Sequence, residues 1–486
     1  MNKAFARPIS IVLILLVVSS QNWATCGGGG GGGVGGVGGG SNGQVYQVPW
    51  RVQSPKDPPV TSGLVLYWFP TSQKEIDNSS LRSSRILSNY ASQCVSMQIA
   101  EVRSAPGQKL AADAKLPVAV LATPDGTALA RAENEKGFLK VEQVEKILDT
   151  EIKKRDDALK QKFEAAKEKA KSGDNAGAIP LYKAVVEEKC LFPKRAKDAA
   201  KELKKLGVND VGEIADPPIF DRAESARIEA VMLRGLKAEN AAKYPEAEKL
   251  YAEARRMDPA DPVPLRYLGE LYRHQTGEWE KARQVFNQIL AMQSDPLSRA
   301  VALHGLGKMT IHEGEFKKGL ALMEDSVRVF PIALAYRNLA VYWNSEGDAA
   351  KTDYYVHLAL NLDPKDPFNL VFAAGFMAGT GHGEEALKIA RENEALMPAS
   401  YNLAAVYAQL GQREKAITLL KRHFFEYERY QAVRTKEMME ARVDAVFASI
   451  RNDPKFIALT SGADGKLPIP GNNGTMGTRT AGGGGN

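Results

Sequence analysis

The chain has 486 residues, of which 44% are hydrophobic and 25% charged, with a formal net charge of +6. That length exceeds one compact core and divides into several folding units. So mild a charge, with no RNA- or DNA-binding module signature, argues against a nucleic-acid partner.

The charge is unevenly placed: between residues 153 and 206 sixteen Lys or Arg stand against nine Asp or Glu. This reads as a solvated, lysine-rich helical face, with a surface for anionic lipid or an acidic partner as the alternative.

At the N-terminus, Lys3 and Arg7 precede an apolar run from Ile11 to Val18 and then SSQNWATC, the layout of a secretory signal. The run is far short of the ~20 residues that a spanning helix needs. Residues 1–26 are therefore expected to direct export to a bacterial periplasm or outer envelope. Two fates stay open, cleavage after Ser20 or lipid attachment at Cys26. WATC followed by glycines resembles a lipoprotein box, with Ala24 fitting and Trp23 standing where Leu is usual.

Residues 27–61 begin GGGGGGGVGGVGGGSNG, with neither the Lys-Ser/Thr pair nor the preceding strand of a phosphate loop. Glycine this dense buries too little to offset its ordering entropy, so the segment reads as a flexible tether. Residues 463–486 read as a second disordered, Gly-rich tail.

Residues 62–152 form the first expected folded unit. GLVLYWF reads as a strand, SSRILSNYASQ as a helix with Ile86, Leu87 and Tyr90 on one side, and VSMQIAEV as a second strand. LPVAVLAT and TALARAE follow as strands joined by the turn PDG, then a closing helix KVEQVEKILDTEIKK. This order resembles the thioredoxin-like fold over about 90 residues. The resemblance makes Pro117 the structural cis-proline candidate. It would place two cysteines near Ser72 and Glu75, inside PTSQKE; without a thiolate and a resolving thiol there is no dithiol chemistry. Of the three cysteines, Cys94 reads as buried packing, and a Cys94–Cys190 disulfide is the alternative in an oxidising compartment.

Residues 153–207 read as a basic helical connector, a degenerate repeat broken at SGDN, and 208–224 as a linker. Residues 225–426 then show a periodicity: Pro259, Pro296, Pro331, Pro364 and Pro398 recur 33 to 37 residues apart. Leu265, Leu268, Gly269, Tyr272, Ala282 and Phe286 mark one unit, with one extra residue near Gly277. Gly235, Tyr251 and Ala254 mark the unit before it, and Leu403, Ala404, Tyr407 and Gly411 the last. The pattern resembles the tetratricopeptide repeat, about six units long. Small residues let neighbouring helices approach and aromatics fill the gap between them, so these stripes are core. Residues 427–462 read as C-terminal capping helices.

The fold class expected is therefore a thioredoxin-like α/β domain followed by an all-α, superhelical solenoid. The repeat resemblance implies that first helices line a concave groove, placing Arg266, Arg273, His274, His304, Lys308, His312 and Arg337 on its wall. Such a basic wall favours an extended, acidic segment of a partner protein. His304 and His312 are separated by about 12 Å along a helix and cannot share an ion directly, so no metal is expected. No zinc-protease helix, Gly-x-Ser-x-Gly elbow or phosphate loop occurs, and neither catalysis nor a cofactor is expected. The function expected is a non-catalytic, exported binding scaffold. The alternative is a redox-inactive, thioredoxin-like accessory or chaperone-like factor in envelope protein folding.

Overall fold

The computed structural model describes residues 44–461 except 55, 56, 135, 363 and 428–430. The signal segment, Cys26, the polyglycine run and the tail lie outside the described residues.

A five-stranded sheet forms from β1 (Arg51–Val52), β2 (Leu64–Phe69), β3 (Val95–Ile99), β4 (Val118–Ala122) and β5 (Ala128–Glu133), in the order β1-β3-β2-β4-β5. β3 lies parallel to β1 and β2, whereas β4 is antiparallel to both β2 and β5. Every residue of β2 and β4 is buried, as unbroken apolar runs require when a strand is covered on both faces. The turn between β4 and β5 is set by Asp125, which accepts from Thr127 N, and by Gly126 at φ +79°. Helices α1 (Gln73–Asn78), α2 (Arg85–Ser92) and α3 (Ala105–Leu110) fill the connections, and the Leu116–Pro117 peptide bond is cis.

The closing helix runs further than its pattern suggested. α4 (Val141–Lys171) is a single helix that carries the sheet unit into the connector without a break at residue 152. No Gly or Pro interrupts that stretch, so nothing stops the hydrogen-bond ladder until Gly173, at φ +84°. α5 (Asn175–Glu187) and α6 (Pro193–Lys205) fold back beside it, and their apolar residues Tyr182, Val185 and Leu203 join one core with Leu64, Trp68 and Val144 of the sheet unit. A disulfide, Cys94–Cys190, with Cα atoms 5.9 Å apart, ties the start of β3 to this connector.

Six helical hairpins follow among the described residues. They pair α7 (Arg222–Asn240) with α8 (Tyr244–Met257), α9 (Val263–Glu270) with α10 (Trp279–Ala291), and α11 (Pro296–His312) with α12 (Phe316–Val329). The second three pair α13 (Ala333–Ser345) with α14 (Ala349–Leu362), α15 (Pro367–Gly379) with α16 (Gly383–Asn393), and α17 (Tyr401–Gln409) with α18 (Arg413–Arg422). α19 (Gln431–Val443) and α20 (Pro454–Thr460) come after them.

Glycine and aromatic residues interlock as the repeat pattern demands. A Cβ on Gly269 would stand 2.4 Å from the Phe286 ring, and one on Gly305 would meet the opposite edge at 2.4 Å. Phe286 is thus clasped between two first helices that only glycine lets so near. The extra residue near Gly277 is absorbed by a wide π-type turn, Leu271–Thr276, which ends on Gly277 at φ +65°. Pro296 opens α11 rather than ending its predecessor, with Asp295 capping it through Ser298 N at 2.9 Å.

The tether reading fails over its last part. Val45 and Tyr46 are fully buried in the core of the array, and Val48 and Trp50 are buried under the sheet unit. The composition changes at this point from glycine to QVYQVPW, which has apolar surface to bury.

Candidate functional site

The seven residues read as a basic wall lie on α9, the π-type turn after it, α11 and α13. Six of them, Arg266, Arg273, His274, His304, His312 and Arg337, are buried, and Lys308 is half-buried. Most are engaged within the protein. Arg273 reaches Glu270 at 2.6 Å, and its backbone carbonyl accepts from the Trp279 indole N–H at 3.0 Å. His312 packs on the Trp279 ring at 5.4 Å. His304 Nε2 lies 2.8 Å from Asn338 Nδ2, and Arg337 donates to Asn369 Oδ1 at 2.9 Å, linking the third, fourth and fifth hairpins through their first helices.

Burial removes charge from the histidines. Desolvation, helped by the nearby Arg273 cation, holds His274 at a pKa of about 3, and the same two causes hold His304 well below its usual value. At neutral pH the His274 and His304 imidazoles are therefore neutral, beside the arginines and Lys308. No group of three His, Cys, Asp or Glu is arranged to hold a metal ion among the described residues.

Two further segments of the chain itself come to this part of the array. The first is the strap of residues 44–52: the Tyr267 hydroxyl donates to the Val45 carbonyl at 3.3 Å, Tyr46 donates to Asp261 at 2.8 Å, and Arg51 donates to the Val329 carbonyl at 2.9 Å. The strap thus reaches from the α8–α9 junction to the end of α12. The second is α19, whose buried Glu437 lies 3.0 Å from His423 Nε2 and within electrostatic range of His274 and Lys308. Burial alone would raise the Glu437 carboxyl; the His423 imidazole, with His274 and Lys308 behind it, holds it below the usual value instead.

A second buried polar centre joins the sheet unit to the array. Arg85 of α2 bonds to Asp258 and, at 3.0 Å, to Asp261, both at the junction between α8 and α9. It also donates to the Ile219 carbonyl and to Ser225 Oγ, each at 2.8 Å. Sequence reasoning misses Arg85 because it stands in an otherwise ordinary helix start. The one hint is the pair of aspartates in DPADP, 258–262, which read as part of a repeat boundary.

At the corner where a dithiol pair would stand, Ser72 and Glu75 are taken up by helix capping. Ser72 Oγ accepts from Glu75 N at 3.3 Å, and Glu75 Oε2 accepts from Thr71 N at 2.6 Å. Neither side chain supplies redox chemistry.

Residues 240–306, from the end of α7 into α11, match the tetratricopeptide repeat family. Protein CTR9 homolog of Arabidopsis thaliana is 24% identical over 232 residues, a stretch that takes in 38% of this chain and 21% of the plant protein. Among solved structures, a thermophilic TPR protein of Thermus thermophilus is 19% identical, covering 38% of this chain and 98% of its own, with a TM-score of 0.31. The family match over residues 240–306 and the hairpins with their glycine-aromatic contacts support tetratricopeptide-type repeats in the helical part of the chain, which a small sheet region precedes.

Proposed function

We propose that the protein is a non-catalytic binding scaffold whose repeat wall holds a segment of another protein, with an acidic, extended stretch as the preferred guest. The observation that carries this reading is that the array already holds protein segments in both of the required chemistries. The strap is an extended segment whose Val45 carbonyl accepts from Tyr267, and Glu437 is a buried carboxylate 3.0 Å from His423 Nε2 and within electrostatic range of His274 and Lys308. Repeats of this family type commonly recognise proteins by such surfaces.

We extend the proposal to location. Export is supported by the signal-like N-terminus and by the Cys94–Cys190 disulfide, a bond that persists in oxidising compartments. A lipid tether at Cys26 rests on the WATC sequence alone. A second reading, an accessory factor acting through a thioredoxin-like unit without thiols, is favoured by the strand and helix order of residues 62–152.

The test uses the full chain as bait in an envelope extract, against Lys308→Glu and against a variant with Lys74→Glu and Asp77→Lys on the exposed side of α1. Loss of captured proteins with Lys308→Glu supports the groove. Loss with the α1 variant alone supports the second reading, and capture that neither variant alters overturns both.

A further inference from the structure

Three parts of the chain meet at one side chain. Gln293, in the turn between α10 and α11, commits both N–H groups of its amide to carbonyls of other elements: Ser92, at the end of α2, at 2.8 Å, and Cys190, in the turn between α5 and α6, at 3.0 Å. The same nitrogen lies 3.3 Å from Cys190 Sγ. What holds these two carbonyls side by side is the Cys94–Cys190 disulfide.

The disulfide sits on an unusual piece of backbone. Cys94 has φ +56°, a left-handed conformation, just past the end of α2 where glycine is the ordinary residue. Gly63, at φ +77°, crosses it so closely that a methyl there would stand 2.1 Å from the Cys94 carbonyl, which accepts from Leu64 N at 3.0 Å. Both cysteines are half-buried rather than enclosed. A bond within reach of solvent and anchored on strained backbone is of the reducible kind, unlike one sealed in a core.

The turn at Gln293 leads directly into the third hairpin. Asp295 accepts from Ser298 N at 2.9 Å and from Ser298 Oγ at 2.6 Å, and Arg299 donates to the Leu290 carbonyl at 3.2 Å, so this turn and the start of α11 form one hydrogen-bonded block. The cores do not depend on the bond. α5 and α6 share theirs with the sheet unit through Tyr182, Val185 and Leu203, and Arg85 joins the sheet unit to Asp258 and Asp261. Opening the disulfide therefore loosens the contact at Gln293 and leaves the units folded.

We propose that Cys94–Cys190 is a redox-sensitive latch whose state Gln293 passes to the third hairpin. The reductant class is a dithiol protein. Its thiolate attacks one sulfur of the bond, its second thiol resolves the mixed disulfide, and Cys94 and Cys190 are left as thiols while the dithiol leaves oxidised. In the thiol state the Ser92 and Cys190 carbonyls part, Gln293 keeps at most one of them, and the start of α11 is released. This device goes beyond the binding reading and does not rest on it.

The experiment follows amide hydrogen–deuterium exchange in the full chain, oxidised and after dithiothreitol without denaturant, for the wild type, Gln293→Met and the Cys94→Ser/Cys190→Ser double variant. Dithiothreitol is expected to release both thiols of the bond and to speed exchange over residues 292–299 by about tenfold, with the sixth hairpin unchanged. Gln293→Met is expected to exchange at the fast rate while still oxidised and to gain nothing on reduction. The double variant is expected to exchange at the fast rate with or without the reductant. A bond that resists the dithiol in the native chain overturns the latch, as does exchange over 292–299 that reduction leaves unchanged. Equal acceleration in Gln293→Met overturns the path through that side chain and the proposal with it. A rise of the same size in the sixth hairpin marks general destabilisation and also overturns it.

Discussion

Phe286 shows how much of this fold rests on single side chains. Its ring lies between Gly269 and Gly305, and an added methyl on either glycine would enter the ring at 2.4 Å. Gly269→Ala is expected to cost about 2 kcal/mol through overpacking, whereas Gly381→Ala, in a turn with open space around it, adds no clash and costs only its positive φ. Denaturant melts of the two variants check the difference; equal losses would contradict the interlock. Such contacts were legible in the sequence because the repeat places a small residue and an aromatic at a fixed spacing.

Glu239 was not legible. It is buried in the first hairpin and accepts from the Tyr251 hydroxyl at 2.7 Å, and burial raises its pKa to about 8. Its other oxygen has no hydrogen-bond partner among the described residues. A raised folded value means that the folded chain keeps a proton which the unfolded chain releases near its ordinary 4.5. The corresponding stability is complete below that value and is lost as pH rises through about 8. His274 works the opposite way: its folded value of about 3 lies below the ordinary 6.5, so its contribution is complete above 6.5 and is lost as pH falls through 3. Between pH 6.5 and 8 the Glu239 effect is therefore separate from that of His274. The melting temperature of the wild type is expected to fall across that window, and Glu239→Gln to flatten the fall. A parallel slope in the variant would show that the carboxyl is not the source.

At the scale of elements, the connector is where pattern and structure part company. Periodicity and the SGDN break located α5 and the end of α4, but the start of the connector was hidden because α4 continues through residue 152 with no stop signal. The uninterrupted helix and the Cys94–Cys190 bond join the sheet unit and α4–α6 into one body with a shared core. The bond spans a sequence separation of 96 residues. In the chain-entropy account, closing a loop of that size contributes about 4.7 kcal/mol. Cys94→Ser is expected to lower the urea midpoint of the first transition accordingly, and a reductant to shift the wild type but leave the variant unmoved. A midpoint unchanged by either treatment would contradict the role given to the bond.

For the whole molecule, the order of hairpins was readable from local spacing, while the closure of their wall was not. Val45, Tyr46 and Arg51 meet the array more than two hundred residues away in sequence, and Glu437 approaches His274 and Lys308 from the far end of the chain. No local pattern encodes such meetings. The same holds for Arg85 with Asp258 and Asp261, the buried pairs that fix the sheet unit to the second hairpin. The seven wall residues share first helices and the turn that follows one of them, yet a wall that reads as open in the sequence is in the structure largely covered.

The central claim is that this wall receives protein segments, its own and a partner's. The most direct measurement is in-cell photo-crosslinking from a diazirine amino acid placed at position 308 of the full chain, followed by mass spectrometry. The account predicts two classes of product, one to residues 431–443 of the chain itself and one to an acidic stretch of another protein. Products confined to the chain's own residues, with no second protein joined under any growth condition, would contradict it.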